Sequence, residues 1–179
     1  LNASLLNGFI STLVYYLFIK LGLDLKWSFF YSICFALLAY PSSGTPFVDH
    51  HSTFLSLTSV IFLILAIKTK KSYFWFLVSF FLFFGFLSKQ VPATYIFISV
   101  ILIVGFHLLQ QTKKESLKII SILFFSSLLS IMLLILFFNL VSVDYKDFLI
   151  QYILYPSTIG NERYTTLNYD LNNVFSNYK

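Results

Sequence analysis

The chain has 179 residues, 58% of them hydrophobic and only 11% charged, with a mean hydropathy of +0.83. A soluble domain carries about 25% charged residues, so a water-dissolved globule is excluded and the membrane class leads. The net charge of +5 does not point to nucleic acid, because the lysines punctuate apolar runs instead of clustering on one soluble face.

Six apolar runs follow one another, at 3–19, 27–40, 52–67, 73–87, 92–109 and 119–138. Crossing a hydrocarbon core takes about 20 residues, within a range of roughly 17–25. The sixth run fits well, and the first and fifth adequately. The second, third and fourth are short, and are expected to borrow flanking residues, snorkel or thin the bilayer. The first run lacks a basic leader and is followed by five more, which argues against a signal peptide. Cys34 lies within an apolar run and reads as a small buried hydrophobe. The expected fold is therefore all-α, a polytopic transmembrane bundle of about six membrane helices. Residues 1–138 form the membrane region, and 139–179 an extracytoplasmic juxtamembrane segment that starts a loop or outer domain. The chain opens on Leu1 and closes in polar residues; both ends are read as cut.

Loop charges orient these runs. Lys20 and Lys26, then Lys68, Lys70 and Lys71, then Lys113, Lys114 and Lys118 occupy alternate connections, so eight of the 12 basic residues share one side. By the positive-inside rule that side is cytoplasmic. The 41–51 connection has no Lys or Arg, and 88–91 has only Lys89. Trp27 and Trp75 open helices at the lysine-rich boundary, while Tyr40 and Tyr95 stand near the opposite one, as an aromatic belt requires. Asp24, beside Lys26, is read as solvated. In the tail, an apolar stretch at 148–155 follows Asp144, Lys146 and Asp147 and stops at Pro156. It is too short to span and is expected to lie on the outer surface as an amphipathic helix. The polar residues after it, including Asn161-Glu162-Arg163, suit a water-facing loop.

Chemistry concentrates in the 40–52 segment, where Pro41, Gly44 and Pro46 interrupt the backbone before Asp49, His50, His51 and Ser52. An ionised Asp at the membrane centre costs roughly 2.5–3.5 kcal/mol, a penalty that mostly vanishes at the boundary. Asp49 or Ser52 is expected to cap the third helix, a role that does not call for two histidines. As a metal site the triplet is weak, since consecutive residues rarely converge on one ion. The second segment, Gly85 to Tyr95, is a tight connection whose Lys89 is either a snorkelling lysine or a cation for a lipid-linked phosphate. His107, near the lysine-rich side, is expected to serve as an interfacial or interhelical hydrogen-bonding group.

The order Pro…Asp49-His50-His51-Ser52, apolar span, lysine-rich turn, aromatic span, Gly85-x-x-Ser88-Lys89-Gln90, Pro92, apolar span resembles the middle of a GT-C membrane glycosyltransferase. The similarity is to the protein-mannosyltransferase-like group, glycosyltransferase family 39 and its bacterial relatives, over roughly residues 27–110. The resemblance implies transfer of a sugar from a polyprenyl-phosphate donor to a glycan, lipid or protein acceptor outside the cytoplasm, in a bacterial inner membrane. It casts Asp49, His50 and His51 as catalytic, and Lys89, Gln90 and Tyr95 as substrate-binding. Membrane lipid is a further partner; nucleic acid is not. No residue is assigned to a metal, and the cofactor is left open. The principal catalytic acid of that family lies in an earlier outer loop and has no counterpart before the first run here. The other classes that fit the topology are a transporter or permease, which would favour ionisable groups near mid-membrane, and a polysaccharide polymerase or ligase.

Overall fold

A computed structural model describes residues 2–39, 48–156 and 158, with Asn2, Ala3, Val48 and Asp49 described at the backbone only. The described residues are helical almost throughout, and none forms a strand. The six runs become α1 (Asn2–Leu21), α2 (Leu25–Ala39), α3 (Val48–Thr69), α4 (Ser72–Ser88), α5 (Gln90–Leu109) and α6 (Lys113–Val141). Where water is absent, the helix is the element that satisfies every backbone N–H and C=O within its own segment.

Four helices are long and apolar enough to cross a membrane: α1, α3, α5 and α6. The third run does borrow flanking residues and reaches 22 as α3. Two helices stay short, α2 with 15 residues and α4 with 17. At about 1.5 Å per residue the described part of α2 falls short of a core about 30 Å thick, and α4 stands at the lower limit of the spanning range. Among the described residues, four helices therefore have the span length of an integral membrane protein, where about six were expected.

The residues group into two compact units, Leu1–Ile131 and Met132–Lys179, divided within α6. In the first unit, α1 and α2 form a hairpin. Gly22 closes α1 at φ +98, a left-handed conformation that suits glycine, and Leu23 N–H returns to Phe18 O at 3.0 Å. At the far end of the hairpin, Asn7 Nδ2 donates to Ala36 O at 2.8 Å. The core centres on α3 and α4, with Ile61, Leu63, Leu65, Ala66, Trp75 and Val78 almost fully buried.

The seam between α3 and α4 is built from small and hydroxylated residues. Ser52, Ser56 and Ser59 are buried on α3, and Gly85 on α4 stands opposite two of them. A Cβ on Gly85 would lie 2.8 Å from Ser56 Oγ and 3.2 Å from Ser56 N. Small residues let helix backbones approach in membranes, where apolar surface alone gives no preference for protein over lipid. Ser59 Oγ donates to Val78 O at 2.8 Å, and Ser126 Oγ on α6 donates to Phe76 O at 2.6 Å. Trp75, expected in the aromatic belt, is 3% exposed and belongs to this core, whereas Trp27 is 56% exposed as a belt residue should be.

In the second unit the end of α6 is followed by α7 (Tyr145–Leu149) and a π-helical stretch, Ile150–Leu154. Asp144 caps α7, its carboxylate accepting from Lys146 N–H at 2.8 Å. Phe138, Tyr145, Phe148 and Tyr152 form a chain of ring contacts, the last pair stacked at 5.1 Å. Burial pushes the Tyr152 phenol up to about 12, so it stays protonated over the working pH range. Leu149, Ile150, Ile153 and Leu154 are exposed, so the stretch expected to be amphipathic carries apolar surface.

Candidate functional site

The residues cast as catalytic or substrate-binding fall at one end of the first unit. Asp49, His50 and His51 lie in the first turn of α3, which begins at Val48. The 40–47 connection and the Asp49 side chain lie outside the described residues. His50 and His51 are half-buried. Lys89 is the single extended residue between α4 and α5, at φ −160 and ψ 132. It is exposed, Gln90 is half-buried as the first residue of α5, and Tyr95 is 68% exposed one turn further on.

The residue that joins these two groups is Ser52. It was expected at most to cap α3, yet it sits beyond the first turn and faces across the seam. Its hydroxyl lies 2.9 Å from Gly85 O and 2.9 Å from Lys89 O, and it is completely buried. One proton serves two carbonyls, so the contact is a shared donation. Lys89 N–H also donates to Gly85 O, at 3.2 Å. The end of α4 and the lysine connection are thereby bound to α3 one turn from Asp49. Two segments 37 residues apart share one hydrogen bond. The signal for it in the sequence was the pair of small residues, Ser52 and Ser56, four apart within an apolar run.

Beside this end, α4, α5 and α6 line an apolar cavity of about 200 Å³ with Leu82, Phe83, Phe86 and Phe97. Phe86 lies one turn before Lys89 on α4. Among the described residues no three His, Cys, Asp or Glu side chains group closely enough to hold a metal ion.

His107 lies at the opposite end, as its place late in the fifth run implies. Its role is ring stacking: it faces Trp75 at 5.4 Å between centroids, tilted by 29°. Around this pair the ends of α3 and α5 and the starts of α4 and α6 enclose a second cavity, of about 90 Å³.

No family model matches the chain, and no curated protein or solved structure proved similar to it.

Proposed function

We propose that this chain is part of an integral-membrane glycosyltransferase that moves a sugar from a polyprenyl-phosphate donor to an acceptor at the face opposite the lysine-rich connections. The observation that carries the reading is the Ser52 hydroxyl lying within 2.9 Å of both Gly85 O and Lys89 O. It holds the Asp49-His50-His51 turn against the one lysine of the 88–91 connection. A carboxylate, imidazoles and an ammonium on adjacent backbone are the groups a displacement at an anomeric carbon needs.

In that reaction the bond from the anomeric carbon to the phosphate oxygen breaks, and the phosphate leaves with the electron pair. The acceptor oxygen forms the new glycosidic bond and gives up its proton. Asp49 takes that proton as general base, and Lys89 with an imidazole stabilises the charge that grows on the departing phosphate. Gln90 and Tyr95 orient the donor headgroup. The apolar cavity lined by Phe83 and Phe86 adds support, because the donor carries a hydrocarbon chain that lies beside its phosphate. The GT-C kinship and a bacterial inner membrane belong to the same proposal.

The test is sugar transfer from a polyprenyl-phosphate donor in membranes carrying the chain, its Asp49→Asn variant or its Lys89→Ala variant. Each substitution should lower the rate about 100-fold or more, the ordinary contribution of a general base or a preorganised charge, with membrane insertion unchanged. Full activity in both variants removes these residues from the mechanism and the transferase reading with them.

A further inference from the structure

Around the α3–α4 turn and the α5–α6 connection, at the lysine-rich end of the first unit, six lysines (Lys68, Lys70, Lys71, Lys113, Lys114 and Lys118) accompany a single acid, Glu115. Two of those lysines line a cavity of about 90 Å³, together with Trp75, His107, Gln111 and Glu115. Trp75 is almost fully buried and supports the His107 ring from below, giving the cavity a fixed aromatic floor. Lys70 stands at φ 57, a left-handed conformation that glycine or asparagine adopts more readily. The two-residue turn between α3 and α4 reverses the chain there and sets this lysine at the cavity wall. The opposite wall is the first turns of α6, tied to α5 by Ser116 Oγ donating to Leu108 O at 3.0 Å.

Lys70 and Lys118 outnumber the one carboxylate of the lining, and Glu115 is engaged at the start of α6. Its carboxylate accepts from Thr112 Oγ1 at 3.4 Å, and its N–H donates back to the same oxygen. That reciprocal pairing is a helix start, where a carboxylate also meets the positive end of the helix dipole. Among the described residues, the ammonium groups of Lys70 and Lys118 have no such acceptor. A basic recess between membrane helices, at the depth where those helices end, matches the phosphate of a lipid headgroup. Two lysines with an imidazole and a side-chain amide in one lining are groups that can hold a phosphate diester.

We propose that this recess is a binding site for the phosphate headgroup of an anionic phospholipid in the leaflet at the lysine-rich end. It is separate from the proposed transferase site, lies at the other end of the helices, and stands or falls independently of that reading.

Native mass spectrometry of the full chain in detergent, exchanged against equal phosphatidylglycerol and phosphatidylcholine, measures the retained lipid. Phosphatidylglycerol should be retained preferentially. Lys70→Gln with Lys118→Gln should lower its retention by about fivefold for each lysine removed. Both side chains are exposed, so the thermal midpoint should not move; Lys118→Gln alone, which leaves the turn untouched, gives the second reading. Lys113→Gln with Lys114→Gln removes equal charge outside the cavity and should cost at least fivefold less retention. Displacement of the lipid by 10 mM inorganic phosphate (a concentration of about that order exceeds weak-site affinities) would overturn the lipid as occupant. Equal retention of both lipids, or equal loss in the two double variants, would overturn the site itself.

Discussion

Helices α3 and α6 invite comparison because both are long enough to cross a membrane, yet they are buried to opposite degrees. Of the spanning part of α3, 56% is buried inside the protein; of α6, 17% is. The more buried of the two is the less apolar. In water that order would be reversed, since burial there follows hydrophobicity. In a bilayer the lipid is as apolar as leucine, so the inward helix is marked by residues that pack closely and bond across the seam. Ser52, Ser56, Thr58 and Ser59 are all fully or almost fully buried on α3. On α6, Phe124, Phe125 and Met132 are exposed and suit contact with acyl chains.

The largest expected effect comes from truncating one apolar side chain on each helix. Leu65, fully buried on α3, should cost about 2–5 kcal/mol as Leu65→Ala, from lost contacts and the cavity left behind. Phe124→Ala on α6 removes a larger side chain from a 62% exposed position and should stay within about 0.5 kcal/mol. Thermal unfolding in detergent measures both. Equal losses would mean that α6 packs against protein and that the contrast between the helices is false.

A smaller effect is expected from filling the seam. Gly85→Ala gains about 1 kcal/mol of helix propensity but brings a methyl to 2.8 Å from Ser56 Oγ and 3.2 Å from Ser56 N. The hydroxyl can rotate away; the backbone nitrogen cannot. Overpacking of this kind costs roughly 1–3 kcal/mol, so a net loss of about 1 kcal/mol is expected. In a Ser56→Ala background the loss should shrink by about 0.5 kcal/mol or more, the coupling of two groups in contact. A Gly85→Ala variant more stable than the parent would show that the seam is loose.

These two effects also mark what the sequence could and could not tell. The six apolar runs were legible because a helix in lipid needs an unbroken apolar stretch, and α1 to α6 match them. Span length was less so: whether a run gains residues depends on where its neighbour turns, and α3 grew to 22 residues while α4 reached only 17. Ser52 and Gly85 were not legible as a pair, since small residues leave the apolar periodicity unchanged and only an opposing helix gives them meaning. Trp75 misled for a related reason. A tryptophan at a helix start suits the headgroup belt, but here the His107 ring covers it. Asp49, His50, His51 and Lys89 were read on one side from loop charge alone, and α3 and α4 bring their backbones to one end.

The smallest expected change in stability tests that end directly. Ser52→Ala removes the hydroxyl shared by Gly85 O and Lys89 O. Gly85 O keeps the Lys89 N–H as a donor, so the main loss falls on the Lys89 carbonyl. Hydrogen bonds between membrane helices are worth about 0.6 kcal/mol on average and at most about 1.7 kcal/mol, so the folded fraction should hardly change. The lysine connection would nonetheless lose its fixed distance from the first turn of α3. A misplacement of about 1 Å can cost roughly 100-fold in rate, so sugar transfer should fall by roughly tenfold or more while the thermal midpoint shifts little. A rate that falls only in step with the folded fraction would make Ser52 a packing residue. The seam would then hold the helices together without setting the geometry of Lys89.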